Sequence, residues 1–182
     1  MIVIPPQVAA RRASTQQPTD LYVCDFVVAQ DTREQAPWGF NGIVMGGKLV
    51  VVKRQVVTMQ TGDYSIIEHE SEIVIERKSP EDAIGSITAG NTRFRREHER
   101  MAGIAAAGGF TCVIVEGCLS QMCNELDDPN SGRRVSSETL MGVAAAWPQR
   151  YGVHWVFAGD RRRAELLAFK MLWKWHAEHG SN

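Results

Sequence analysis

Runs of β-branched and apolar residues that alternate with polar ones place most of the elements. "LYVCDFVVAQ", leading to Asp31, and "KLVVVKRQVVTM" predict two strands, and the Gly-rich "WGFNGIVMGGK" predicts the loop between them. "DYSIIE" and "EIVIERK" predict a hairpin. From Pro80 to about Ala89, and again from Arg93 to about Ala107, the period lengthens to that of a helix. The second helix carries Phe94, Met101, Ile104 and Ala105 on one apolar stripe. "FTCVIVEG" is a short apolar run of the sort a sheet buries, whereas "CLSQMCNELDDPNSGRRVSSE" is polar and predicts a long loop over 117–137. A helix from about Glu138, the strand "VHWVFAG" and a last helix from about Arg161 to His179 complete an α/β pattern. That last helix is apolar on more than one side. Leu167, Met171 and Leu172 predict contact with the sheet, and Leu166, Phe169 and Trp173 face elsewhere, so a single core and a contact between two copies are both open.

Composition narrows the classes. Of 182 residues 44% are hydrophobic and 23% charged, enough for one domain with a real core. Residues 1–20 are rich in Pro, Ser, Thr and Gln and predict a flexible tail, with the domain over 21–180. Four apolar residues before Pro5 are too few for a secretory signal, and no later run is long enough to span a bilayer, so a cytoplasmic protein without membrane contact is expected. The formal net charge of -1 confines any nucleic-acid contact to local patches. Cys24, Cys112, Cys118 and Cys123 lack metal spacing and read as reduced thiols; the five histidines lack it too and read as surface or interface residues.

One stretch, "VIERKSPEDAIGSI", crowds charges where a strand gives way to a helix. Alternation puts Val74, Glu76 and Lys78 on one face and Ile73, Ile75 and Arg77 on the other, and hairpin pairing brings Asp63 beside Glu76. Two acids and a lysine are what phosphodiester hydrolysis needs: carboxylates hold Mg²⁺, and an ammonium orients the water or neutralises the phosphate. The same pattern also suits an exposed hairpin. Ser79-Pro80-Glu81-Asp82 is an ordinary helix start, with Ser79 as N-cap and Asp82 as capping acid, so Asp82 has a structural and a chemical reading. Arg93, Arg96 and Arg100 form either a phosphate-contacting face or a solvated one paired with Glu97 and Glu99. Arg133 and Arg134 offer a further basic patch for DNA, and the run Arg161, Arg162, Arg163 reads as plain surface or a second phosphate contact.

"GDYSI", "IERKSPEDAIGSI" and "RFRREHERM" in that order, followed by "VIVEG" and preceded by "DTREQAPWGF", closely resemble the XPF-type structure-specific endonuclease domain in its small bacterial and phage form. The likeness runs from about Leu21 to Trp175. It implies a restriction-endonuclease-like (PD-(D/E)xK) core, a central mixed sheet flanked by helices, that cuts branched, flapped or forked DNA with Mg²⁺ or Mn²⁺. Carried over, it makes Asp63, Glu76 and Asp82 metal-associated acids, Lys78 the catalytic lysine and Arg77 a support for substrate or site geometry. Asp31, Arg33 and Glu34 match the opening element and lie at the rim of the site or inside it. Glu97 departs from the Gln of many relatives. Larger relatives carry a helicase domain or tandem helix-hairpin-helix modules, none of which follows Trp175, so substrate preference does not carry over. Relatives pair through their nuclease domains, which implies a homodimer with Leu166, Phe169 or Trp173 at its interface. The expectation is a Mg²⁺-dependent DNA endonuclease of recombination, repair or replication. Alternatives are a Holliday-junction resolvase or restriction-type cutter, a non-catalytic DNA-binding subunit, or a structural module of a recombination complex.

Overall fold

A computed structural model of the chain describes residues 20–88, 91–133 and 135–180. The expected tail, apart from Asp20, and Arg134 lie outside the described residues. Strand β1 (Leu21–Asp31) pairs in parallel with β3 (Lys48–Val57), on which the short β2 (Val44–Met45) folds back antiparallel. β2 sits inside the stretch expected to be loop, where its glycines concealed it. On its other side β1 pairs antiparallel with β4 (Tyr64–Ile66), which forms the expected hairpin with β5 (Ile73–Lys78). β5, β6 (Phe110–Val115) and β7 (His154–Phe157) then run parallel. Among the described residues the result is one seven-stranded mixed sheet in the order β2-β3-β1-β4-β5-β6-β7.

Parallel neighbours need long crossovers, and helices supply them. Between β5 and β6 lie α1 (Pro80–Ile87) and α2 (Asn91–Ala106); between β6 and β7 lie α3 (Leu119–Asp127) and α4 (Ser137–Tyr151). The last helix, α5 (Arg161–His179), packs on the opposite face. Both faces of β5 and β6 are therefore buried, which accounts for the apolar runs Ile73–Ile75 and Cys112–Val115. Ile73, Ile75, Cys112 and Ile114 pack toward α5; Val74, Val113 and Val115 pack toward Phe94, Met101 and Leu140.

Three expectations change. The loop over 117–137 contains α3, whose narrow apolar stripe of Leu119, Met122 and Leu126 at helical spacing docks on the second cluster, with Cys123 half-buried beside it. Phe169 is fully buried between α5 and the sheet, stacked with Phe26 at 6.1 Å, so it belongs to the protein's own core and not to a contact between copies. Leu166 and Trp173 pack half-buried against the same cluster. His98, expected at the surface, is fully buried in a cage of Phe94, Trp147, Tyr151 and Trp155 rings. No helix among the described residues is long and apolar enough to cross a membrane.

The cage dictates the charge of His98. Its Nδ1 lies 3.0 Å from the Phe94 carbonyl oxygen, which can only accept, and its Nε2 lies 2.9 Å from the Trp155 indole N–H, which can only donate. The ring is thus neutral, protonated on Nδ1, and a second proton removes the Trp155 bond. Burial pushes its pKa from 6.5 down to about 4, against the Phe94 carbonyl and Glu97, which favour the cation. A depressed histidine pKa means that the unfolded chain takes up the proton first. The contribution of His98 is complete above about pH 6.5 and is lost as pH falls toward 4, on the order of 3 kcal/mol over that range. Urea unfolding at a series of pH values should show this loss in the wild type. His98→Gln, less stable at neutral pH, should lack that component; an identical pH profile for the two proteins would remove His98 as its source.

Candidate active site

The β4–β5 pairing builds the centre of the site. Tyr64 lies opposite Ile75, the Asp63 N–H donates to the Ile75 carbonyl at 2.9 Å, and the Asp63 carboxylate accepts the Arg77 N–H at 2.7 Å. Asp63 therefore stands beside Glu76, as the alternation predicts. The residue before it has to be glycine: Gly62 has φ +74°, and a Cβ there would lie 2.2 Å from Val74 Cγ1. Glu76 is only 4% exposed. The Lys78 ammonium lies 2.5 Å from its Oε1 and 4.9 Å from the centre of the Phe94 ring, a cation over an aromatic face.

These groups open on a cleft of about 740 Å³. Burial and the neighbouring Glu34 and Glu97 carboxylates push Asp63 up from 3.8 to about 7, against the pull of the Arg77 N–H and Lys78. Glu76 is likewise pushed well up, by burial and by Asp63, with Lys78 opposing. For Lys78 the attraction of Glu76 outweighs burial and raises its pKa. The half-buried Asp63 and buried Glu76 carboxylates facing one ammonium leave one surplus negative charge, which a proton or a bound cation neutralises. That donor set, hard oxygens with excess charge on an open wall, fits Mg²⁺. Among the described residues no three His, Cys, Asp or Glu side chains are grouped closely enough to hold a metal ion by themselves.

The remaining candidates divide. Asp82 lines the cleft, but its carboxylate accepts the Ser79 hydroxyl at 2.8 Å while Ser79 caps the Asp82 N–H at 3.1 Å. Arg33 and Glu34 line it too, and α2 contributes Arg93, Glu97 and Arg100. Asp31 is only 1% exposed, and its oxygens accept from the Arg33 N–H, the Arg33 guanidinium and the Met59 N–H, so it shapes the turn behind the site. Those bonds hold its pKa low despite burial. Arg96 and Arg133 are exposed but lie outside the cleft lining.

Arg77 leaves the strand on the side opposite Glu76 and Lys78 and also lines the cleft. Its guanidinium makes a two-pronged pair with Glu116, Nε to Oε1 at 2.8 Å and Nη2 to Oε2 at 2.7 Å, and a longer contact with Glu34 at 3.4 Å. Glu116 also accepts the Trp38 indole N–H at 2.6 Å and the Arg161 Nη1 at 3.0 Å. Burial alone raises the pKa of Glu116, but these donors outweigh it and hold the carboxyl below its usual range. The other Arg161 nitrogen donates to the carbonyls of Ala36 and Pro37, and Arg162 donates to those of Asn41 and Gly42. Two of the arginines at the start of α5, Arg161 and Arg162, thus strap down the 36–42 loop, while Arg163 is an exposed surface residue paired with Asp160. Glu116 is the residue that sequence reasoning missed. Its signal was the lone acid closing the apolar run "FTCVIVEG" in line with the ERK strand end.

The ERCC4 domain family matches residues 10–168, and the chain belongs to that family. Its fold, a mixed sheet with helices on both faces and acids at the hairpin edge, is the restriction-endonuclease-like fold of XPF nuclease domains. The structure of XPF from Aeropyrum pernix is similar, with 22% identity, a TM-score of 0.59, and 85% of this chain and 63% of that chain covered. XPF from Aeropyrum pernix in complex with DNA gives 20% identity, a TM-score of 0.54, and coverage of 84% and 66%. The chain thus spans less than two thirds of each. No curated protein matches.

Removing one partner of a buried ion pair strands the other charge. Arg77 and Glu116 side chains are 11% and 7% exposed, so Glu116→Gln should destabilise the fold by about 3 kcal/mol. Arg77→Gln combined with Glu116→Gln should destabilise by clearly less than the sum of the single changes. Urea unfolding of the four proteins gives the coupling; strict additivity would show that the pair contributes nothing.

Proposed function

We propose that the chain is a divalent-cation-dependent endonuclease that hydrolyses phosphodiesters in branched, flapped or forked DNA. The observation that carries this reading is the pair of half-buried Asp63 and buried Glu76, one charge in excess beside Lys78, in an open cleft on an ERCC4-domain fold. A relative solved with DNA supports DNA as the ligand.

Asp63 and Glu76 would hold the cation, Mg²⁺ or in its place Mn²⁺. When bound it supplies charge neutralisation at the phosphate and a water of lowered pKa. Lys78, tethered by Glu76 and steadied over Phe94, presents an ammonium to the attacking water or to the charge that grows on the phosphate. Arg93 and Arg100, on the cleft wall, meet flanking phosphates. Arg77 is committed to Glu116 and Glu34, so its part is to hold the strand end and the Asp63 carboxylate in register.

Labelled flap, fork, four-way junction and linear duplex DNA, each incubated with Mg²⁺, Mn²⁺ or chelator, test the activity. Branched substrates should be cut with either metal and spared in chelator. Asp63→Asn, which removes the surplus charge, should abolish cutting and raise the melting temperature measured in chelator; near wild-type cutting would end the metal assignment. Asp82→Asn separates the two roles open to that residue. Its bond to Ser79 as a cap predicts a small loss of stability, on the order of 1 kcal/mol, with the rate unchanged. A role at the metal predicts a lost rate at unchanged stability, and single-turnover cleavage beside calorimetry tells them apart.

A further inference from the structure

The cleft does not end at the acids. Arg93, Glu97, Arg100 and Ile104 follow one another at intervals of four, three and four along α2, which places them on a single stripe of the helix. The first three line the cleft around Lys78, and Arg100 also lines a second cleft of about 440 Å³ that continues past Ile104. The facing wall of this second cleft is the segment 57–61, which runs straight into Gly62 and Asp63. The two hollows therefore adjoin, with Arg100 lining both and the 57–61 segment leading from one to the acids of the other.

The chemistry changes along it. Around Lys78 most of the lining is charged, whereas the second cleft offers Val57, Met59 and Ile104 as apolar floor and Thr58, Gln60 and Ser71 as neutral hydrogen-bonding groups. Its acid, Glu70, disfavours a phosphate there. Thr61, 4% exposed, carries a hydroxyl that has no hydrogen-bond partner among the described residues and lies on this wall. A buried hydroxyl left unpaired is unfavourable, so a polar group of an occupant that reaches it would gain a bond.

We propose that the second cleft is a subsite for a nucleoside of single-stranded DNA: the strand leaves the scissile phosphate, crosses Arg100 with its next phosphate and lays a sugar and base between Ile104 and the 57–61 wall. This rests on the endonuclease reading above and deepens it. The unpaired arm of the flapped or forked substrate is then the part that the second cleft holds, since its apolar floor offers a face to a single base while a duplex would present its charged backbone. Continuity with the acid-bearing cleft through Arg100 is what selects DNA as the occupant over any unrelated small molecule.

The test uses the whole chain and a flap DNA whose single-stranded arm is either long or cut back to one nucleotide, with 4-thiothymidine placed at successive arm positions. Photocrosslinking in chelator should join the positions next to the cut to the peptide carrying 57–61 or to that carrying Ile104. Gln60→Glu should weaken binding of the long-arm flap about tenfold and leave the short-arm flap within about twofold of wild type. Thr61→Val should raise the melting temperature of the free protein and yet weaken long-arm binding about threefold, opposite signs that a purely structural hydroxyl does not give. Crosslinks confined to other surfaces, or equal penalties on both arms, would overturn the subsite. If the wild type crosslinks as stated but cuts nothing with Mg²⁺ or Mn²⁺, the strand path stands and the catalytic reading falls; cutting with crosslinks elsewhere does the reverse, and failure to bind either flap ends both.

Discussion

A guanidinium shared among carboxylates fixes the geometry of everything around it. Arg77 lies between Glu116 and Glu34, and its own backbone N–H holds the Asp63 carboxylate. One residue thereby joins the hairpin, the end of β6 and the loop after β1. Through Glu116 the linkage reaches Trp38, which stacks on Tyr64 at 4.7 Å, and Arg161 at the start of α5. Planar two-pronged geometry suits this task, because it fixes orientation as well as distance.

Strand alternation turns this linkage into a division of labour. Glu76 and Lys78 leave the strand on one side and Arg77 on the other, and all three reach the cleft at its end. The acid pair has a repulsive, largely buried setting that disfavours its own full ionisation, and the well-satisfied Arg77 beside it holds the surrounding loops in place.

What was legible in the chain follows the range of the interaction. Period-two alternation in "EIVIERK" and the short connection to "DYSIIE" specified the hairpin, and with it the meeting of Asp63 and Glu76, because both depend on local geometry. The capping of α1 by Ser79 was legible for the same reason. Glu116 was not, because its partners at 38, 77 and 161 are distant in sequence and nothing local announces them. The same holds for Phe169 and His98, whose burial is decided by elements elsewhere in the chain. α3 was hidden differently: a stripe of three apolar residues is a faint helical signal among polar neighbours, although the spacing of Leu119, Met122 and Leu126 carried it.

The strap from Arg161 to the 36–37 carbonyls has a consequence for the order in which the protein comes into being. A growing chain that has passed residue 120 already holds the acids, the lysine and both arms of the hairpin. It lacks the helix that covers one face of the sheet and the arginine that closes the loop over Glu116. Contacts joining such distant residues form late, since the intervening chain must be ordered first. Synthesis therefore separates possession of the acids and the lysine from completion of the network around Glu116, which waits for the last helix to dock.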